Sequence, residues 1–347
     1  MNGFERIDAV LNSRSPDCVP VMLHNFLMAA KEYGVNMAQY RSNAKLIANV
    51  HIAAVEKYCY DGITVDIDTC TLAGAIGVPV DFPDDEPART NGVRLERLKD
   101  IRTLKPIDIS KDKRVNIWLE ACQRLSKQLK GQVFLRGNCD QSSFSLAAMV
   151  RGIENWMIDI FSAEDNKYVF EFLEYCTDIT GQFIKLMAQT GVDMVSNGDS
   201  IGGPEMVSPN IYKEYVLPFE KKIVNIAHKN KMSYLLHICG CVNGILDSML
   251  ETGANVLELD YKTDINLIHG KCKDKVVFCG NIDPSGVLAM GSVEDVKVKT
   301  SELLEIYWDS NKFILNAGCA IPSSTPPENL KMMIHLARNF VVQPNKA

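Results

Sequence analysis

No long block of Lys and Arg runs through this sequence of 347 residues; its 37 basic and 43 acidic side chains are scattered, for a formal charge of −6. A surface tracking a phosphate backbone is therefore not expected, nor is nucleic acid as a partner. No stretch reaches the roughly 18 consecutive apolar residues of a membrane span. The first residues, MNGFERIDAVLNSRSPDC, carry Glu5, Arg6 and Asp8 where a signal peptide needs an apolar centre. A cytoplasmic protein without a membrane partner is expected. Histidine is scarce, at six residues, whereas cysteine is plentiful and odd, at eleven. With no secretion signal, free or metal-bound thiols are expected rather than a disulfide framework, most of them packing as small hydrophobes.

At 46% apolar and 23% charged the chain has the composition of an ordinary globular protein. Eight short apolar runs recur, at 19–23, 62–68, 133–138, 192–197, 233–239, 255–260, 276–281 and 313–318, with helical patterns such as AKLIANVHIAAVEKYCY and FEFLEYCTDITGQFIKLMAQT between them. Strands alternating with helices predict a parallel sheet, and eight such units predict an α/β fold of the (β/α)8 TIM-barrel type spanning residues 1–347 as a single domain. Residues 1–17 read as an N-terminal helical extension and 81–112 as an insertion forming a lid or rim element. YKTDINLIHGKCKDK reads as an irregular connection. Ser208-Pro209 marks a helix start.

In a barrel of this type the chemistry lies where strands end, and most of these strands end in polar residues. They are Asp66 and Asp68; Arg136, Asn138 and Asp140; Asn197 and Asp199; Glu258 and Asp260; Asn281 and Asp283; with Cys319 after the last. Asn and Asp are also common where strands simply turn. In LLHICGCVNG, His237 and Cys239 are two residues apart at a strand end, so their side chains project to one side. With Cys319 they supply one nitrogen and two sulfurs, the donors zinc prefers, and three protein ligands leave a fourth position open for chemistry. Cys241 and Cys279 are rival sulfurs.

HICG at 237–240, CGNIDPSGVLAMGSVEDV at 279–296, NAGCAIPSSTPPENLKMM at 316–333 and GNCDQSSFSLAAMVRGIE at 137–154 resemble the uroporphyrinogen decarboxylase superfamily, in particular its zinc-dependent, corrinoid-linked methyltransferase branch. The resemblance implies that His237, Cys239 and Cys319 bind zinc. It implies that a methyl group passes between a small substrate, a thiol such as coenzyme M or a methoxylated aromatic, and the cobalt of a corrinoid carried by a partner protein. Asn281 and Asp199 are expected toward the cofactor, and His24, Asn25, Asp199 and Asp260 toward the small substrate. No Asp-x-His-x-x-Gly motif is present to replace cobalamin's lower ligand. The alternatives are a metal-free decarboxylase and a non-catalytic module with a closed zinc site. Against the first, no arginine lies between the first strand and Arg41, where decarboxylases of the family carry arginines for a substrate rich in carboxylates.

Overall fold

A computed structural model describes residues 1–162 and 166–340. All eight expected strands are present: β1 Met22–Leu23, β2 Gly62–Val65, β3 Phe134–Gln141, β4 Met194–Gly198, β5 Ser233–Ile238, β6 Val256–Leu259, β7 Val277–Ile282 and β8 Phe313–Ala317. They pair in parallel in the order of the chain. A parallel bridge between Val21 and Leu315 brings β8 back to β1, giving a nearly closed (β/α)8 barrel. The strands are apolar and almost wholly buried because helices cover them outside and side chains fill them inside.

The barrel interior is built in layers. Met22, Phe134, Met194, Leu235, Val256, Val277 and Ile314 form an apolar floor together with Ile7 and Val10. Those two belong to the helix Gly3–Leu11, whose start is fixed by a capping box between Asn2 and Glu5. The N-terminal extension is thus a plug for the bottom of the barrel, and its helix stops at Leu11. Two residues further along five of the strands, the same inward direction carries Arg136, Ser196, His237, Glu258 and Asn316. A polar layer therefore sits on the apolar floor, as the two-residue period of a strand requires.

The segment after β2 forms a short antiparallel ribbon, Val80–Asp81 with Arg89–Thr90, followed by two 3-10 turns, Leu98–Thr103 and Ile109–Lys111. It is fastened to the rim: Ala38 N donates to Asp84 O and Arg94 N to Val150 O, while Phe82 lies under the Arg114 guanidinium. Contrary to the irregular connection expected after β6, Ile265–Cys272 is a helix. Asp264 starts it by accepting from the Asn266 and Leu267 amides, a cap that outweighs the weak periodicity of INLIHGKC. Ser208 caps the helix after β4 with Pro209 in its first turn, as expected, but Tyr212–Val216 then winds as a π-helix before Leu217–Lys229 resumes. Among the described residues no helix is long and apolar enough to cross a membrane.

Candidate metal centre at the barrel mouth

His237 is the second-last residue of β5, and Cys239 follows the strand directly. Gly240 turns the chain there at φ +84°, a conformation that favours glycine, with the Glu205 side chain packed against it. Cys319 follows the end of β8 after one intervening residue. Gly318 before it packs so tightly that a Cβ would meet the Tyr261 backbone nitrogen at 2.7 Å. His237 Nε2 lies 2.9 Å from Cys239 Sγ, and Cys239 Sγ lies 3.7 Å from Cys319 Sγ. All three donor atoms fall within 4.8 Å of one another, and among the described residues no other three His, Cys, Asp or Glu donors do so. Cys241 stands outside this group. Cys279 lies in the floor with its sulfur 4.0 Å from Glu258 Oε1, and burial pushes its thiol far up.

The polar layer orients the imidazole. His237 Nδ1 lies 3.2 Å from the Glu258 carbonyl and 3.3 Å from Glu258 Oε2. Nδ1 therefore donates toward Glu258, and Nε2 faces the sulfurs, hydrogen-bonded to Cys239 Sγ. Glu258 is itself gripped: Arg136 Nη1 and Nη2 donate to its two oxygens at 2.6 and 2.9 Å, and Asn316 Nδ2 donates at 2.8 Å. Burial would raise the Glu258 pKa, but Arg136 and His237 outweigh it and hold the carboxyl down at about 2. Burial likewise works against a charged His237, yet Cys239 and Glu258 carry it up to about 9. Cys239 is drawn down to about 3 by the donated Cys319 thiol, against burial and with His237 assisting, and Cys319 rises in return because it gives that proton. The site favours negative charge on Cys239.

The network continues to the β1 side. Arg136 Nε donates to Ser196 Oγ, Ser196 Oγ to Asn138 Oδ1, and Asn138 Nδ2 to Asp66 Oδ2, which also holds His24 Nε2 at 2.8 Å. His24 is thereby fixed at the edge of the polar layer. Other expected residues are engaged elsewhere. Asn25 is fully buried and accepts from Tyr60 OH; Asp199 Oδ1 accepts from Ser145 N at the start of the helix Ser143–Arg151, and burial raises its pKa to about 6. Asp260 receives the Gly240 and Lys262 amides, which ties the β5 and β6 loops together, and Asn281 Nδ2 donates to the Asp260 carbonyl. Sequence reasoning gave no role to Ser196 or Asn316. Their signal was there: Met194-x-Ser196 and Leu315-adjacent Ile314-x-Asn316 repeat the apolar-then-polar spacing of Phe134-x-Arg136, Leu235-x-His237 and Val256-x-Glu258.

Fold and site together define a (β/α)8 barrel whose polar centre, with one nitrogen and two sulfurs, lies at the C-terminal mouth. The chain belongs to the uroporphyrinogen decarboxylase (URO-D) family, whose sequence model matches residues 2–340. Among similar proteins, methylcobamide:CoM methyltransferase MtbA of Methanosarcina mazei is 30% identical over 246 residues, covering 71% of this chain and 70% of that protein. The protein of the same name from Methanosarcina acetivorans is 26% identical over 341 residues, 97% of each. In three dimensions a methyltransferase from Methanosarcina mazei superposes over 98% of both chains, with a TM-score of 0.88 at 21% identity.

Proposed function

We propose that this protein transfers a methyl group between a small thiol and the cobalt of a corrinoid borne by a separate protein, at a zinc ion held by His237, Cys239 and Cys319. The observation that carries the reading is the convergence of those three donors at the C-terminal mouth. The donor set fits zinc. Two ligands at a Zn–S distance of about 2.3 Å span a tetrahedral edge of about 3.8 Å, and the two sulfurs stand 3.7 Å apart. The imidazole–sulfur spacing of 2.9 Å is that of a hydrogen bond, which a cation shared by the same two atoms would replace. Methyltransferases among the similar proteins support the reaction class, and the named coenzyme M supports a small thiol as methyl acceptor.

Zinc bound there supplies Lewis acidity that favours the ionised form of a substrate thiol at neutral pH. The chain's own residues do the rest. Glu258 keeps the proton on His237 Nδ1, so the ring presents Nε2; Arg136 and Asn316 keep Glu258 from turning away. The buried apolar floor closes the barrel below the site, so substrates reach it from the mouth alone. We assign the contact with the small substrate to His24, which Asp66 holds at the edge of the polar layer. In the transfer a sulfur lone pair forms the S–C bond, the Co–C bond breaks with both electrons remaining on cobalt, and the thiol proton passes to solvent.

Metal analysis with a spectroscopic assay tests the proposal. One zinc per chain is expected in the purified protein and none in Cys239→Ala. Methylcobalamin mixed with coenzyme M and the zinc-loaded protein is expected to give the cob(I)alamin spectrum. A chain without zinc, or with zinc but no spectral change for any thiol, overturns the reading.

A further inference from the structure

The two sulfurs of the metal centre touch one another. Cys239 follows β5, Cys319 lies past the end of β8, and their Sγ atoms are 3.7 Å apart, which is van der Waals contact for two sulfurs. A disulfide bond is about 2.05 Å long, so each sulfur has only about 0.8 Å to travel for a bond to form between them. Both cysteines are partly exposed, whereas seven of the other nine are buried. Of the remaining two, Cys59 is exposed at the end of the helix Ala44–Tyr58, and Cys241 stands outside the group of donors.

We propose that Cys239 and Cys319 form a reversible dithiol–disulfide pair, oxidised by the disulfide of the small thiol substrate with release of the zinc; the inference rests on the thiol methyl-transfer reading above. The apolar floor shuts the barrel below the site, so a reagent reaches the sulfurs through the mouth that admits the thiol. The symmetric disulfide of that thiol carries the same chain on each sulfur and is the form the thiol takes on losing electrons. Exchange proceeds by attack of a cysteine sulfur on a disulfide sulfur, through a mixed disulfide. Cys239 is the attacking group, because the His237 imidazole faces its sulfur at 2.9 Å and draws charge onto it. Its lone pair forms a bond to one sulfur of the incoming disulfide, whose S–S bond breaks and whose other half leaves as thiolate. Cys319 then attacks the Cys239 sulfur across 3.7 Å, and the second half leaves in the same way. Two cysteine thiols are oxidised and one disulfide is reduced to two thiols, the cysteine protons passing to the departing thiolates. A disulfide has no thiolate to give a metal, so His237 is left as the one donor of the three. Excess free thiol runs both steps backward and restores the site. The pair thereby couples the enzyme to the ratio of thiol to disulfide in its own acceptor pool.

The full-length zinc-loaded protein, incubated without oxygen with coenzyme M disulfide as the probe, tests this. Zinc is captured by a chromogenic chelator, free thiols are counted, and the linkage is mapped by mass spectrometry. Loss of one zinc and two thiols per chain is expected, with a Cys239–Cys319 link. Methyl transfer is expected to be lost while the link persists and to return on adding excess coenzyme M and zinc. Cys319→Ser is expected to stop at the mixed disulfide, with one coenzyme M on Cys239; that mass needs no bound zinc, so it is read even in a variant that has lost the metal. Cys241→Ser is expected to behave as the wild type. Retention of zinc and of all thiols by a wild type that turns over overturns the inference and leaves the methyl-transfer reading intact. A link from Cys239 to Cys241, or a mixed disulfide on Cys241 in place of Cys239, overturns it in the same way. Absence of turnover by the reduced, zinc-loaded wild type with any thiol sinks the methyl-transfer reading and this inference with it.

Discussion

Glu258 is the residue on which the candidate site turns, although it is not one of the three donors. It is buried, held by two arginine nitrogens and an asparagine, and it fixes which nitrogen of His237 faces the sulfurs. A carboxamide cannot repeat that pairing with Arg136, and outer partners of metal-binding histidines are worth about 10- to 100-fold in metal affinity. Glu258→Gln is therefore expected to weaken zinc binding by about that factor, measured by competition with a chromogenic chelator. Zinc affinity equal to wild type would remove Glu258 from the site. His51 makes a separate, pH-dependent contribution. It is fully buried with Nε2 at 2.9 Å from Tyr40 OH, and burial, with His24 adding to it, depresses its pKa from 6.5 to about 4. Between those values the unfolded chain binds the proton and the folded chain does not. The folded state is thus at full advantage above pH 6.5 and loses it as pH falls toward 4. His51→Gln should make that fall shallower by up to about 3 kcal/mol, read from urea unfolding at pH 7 and pH 4.5.

Among the secondary-structure elements, the helix Gly3–Leu11 has the clearest structural task. Ile7 and Val10 fill the end of the barrel against Phe134, Met194 and Leu235, and a fully buried isoleucine cannot be trimmed without leaving a void. Ile7→Ala is expected to cost about 2–5 kcal/mol, seen as a lower urea midpoint with an unchanged slope. Zinc content should stay at wild-type level, because the apolar floor lies between this helix and the donors. The helix Ser143–Arg151 raises a different issue. Its start is held by Asp199, whose buried carboxyl has its pKa lifted to about 6. The folded state then binds the proton more readily than the unfolded chain between about pH 4 and 6, so the ionised carboxylate costs stability above that window. Asp199→Asn keeps an oxygen for Ser145 N and removes the charge. It is expected to abolish this part of the decline in stability from pH 4 to pH 7, followed by thermal unfolding in matched buffers.

Across the whole molecule, the two ends of the described chain are joined at one buried carboxylate. Asp61, just before β2, accepts from Arg6 Nη1 at 3.0 Å, from Arg338 Nη1 at 2.6 Å and from the Val21 amide at 2.8 Å. It thereby couples the first helix and the last helix, Pro327–Asn339, to the place where the barrel closes. Removing it leaves Arg338 without its carboxylate and the Val21 amide without its acceptor, while Arg6 keeps Asp17, so Asp61→Ala is expected to cost about 3 kcal/mol, measured by denaturant titration. A loss below 1 kcal/mol would mean that water replaces the carboxylate there. The relatives that match nearly the full chain fit this picture of a molecule organised around its closed barrel.

The eight strands and the His237–Cys239 pair could be read before any coordinates because both depend on short-range pattern. A strand covered on both faces must be a short apolar run, and two side chains pointing to one side of an extended chain must be two residues apart, as His237 and Cys239 are. Cys319, 80 residues from Cys239, was chosen over the rival sulfurs Cys241 and Cys279 as the one following the last strand at the same mouth, and likeness to a family supported the choice, since no local rule links the two. What could not be read was which polar strand residues face one another. Arg136 and Glu258 are 122 residues apart and meet across the barrel axis, while Asn25 and Asp199, equally plausible in a list of strand-end residues, turn into the core. Local patterns set the direction of a side chain relative to its own strand. Barrel closure, which sums the twist and stagger of all eight strands, set what each side chain meets.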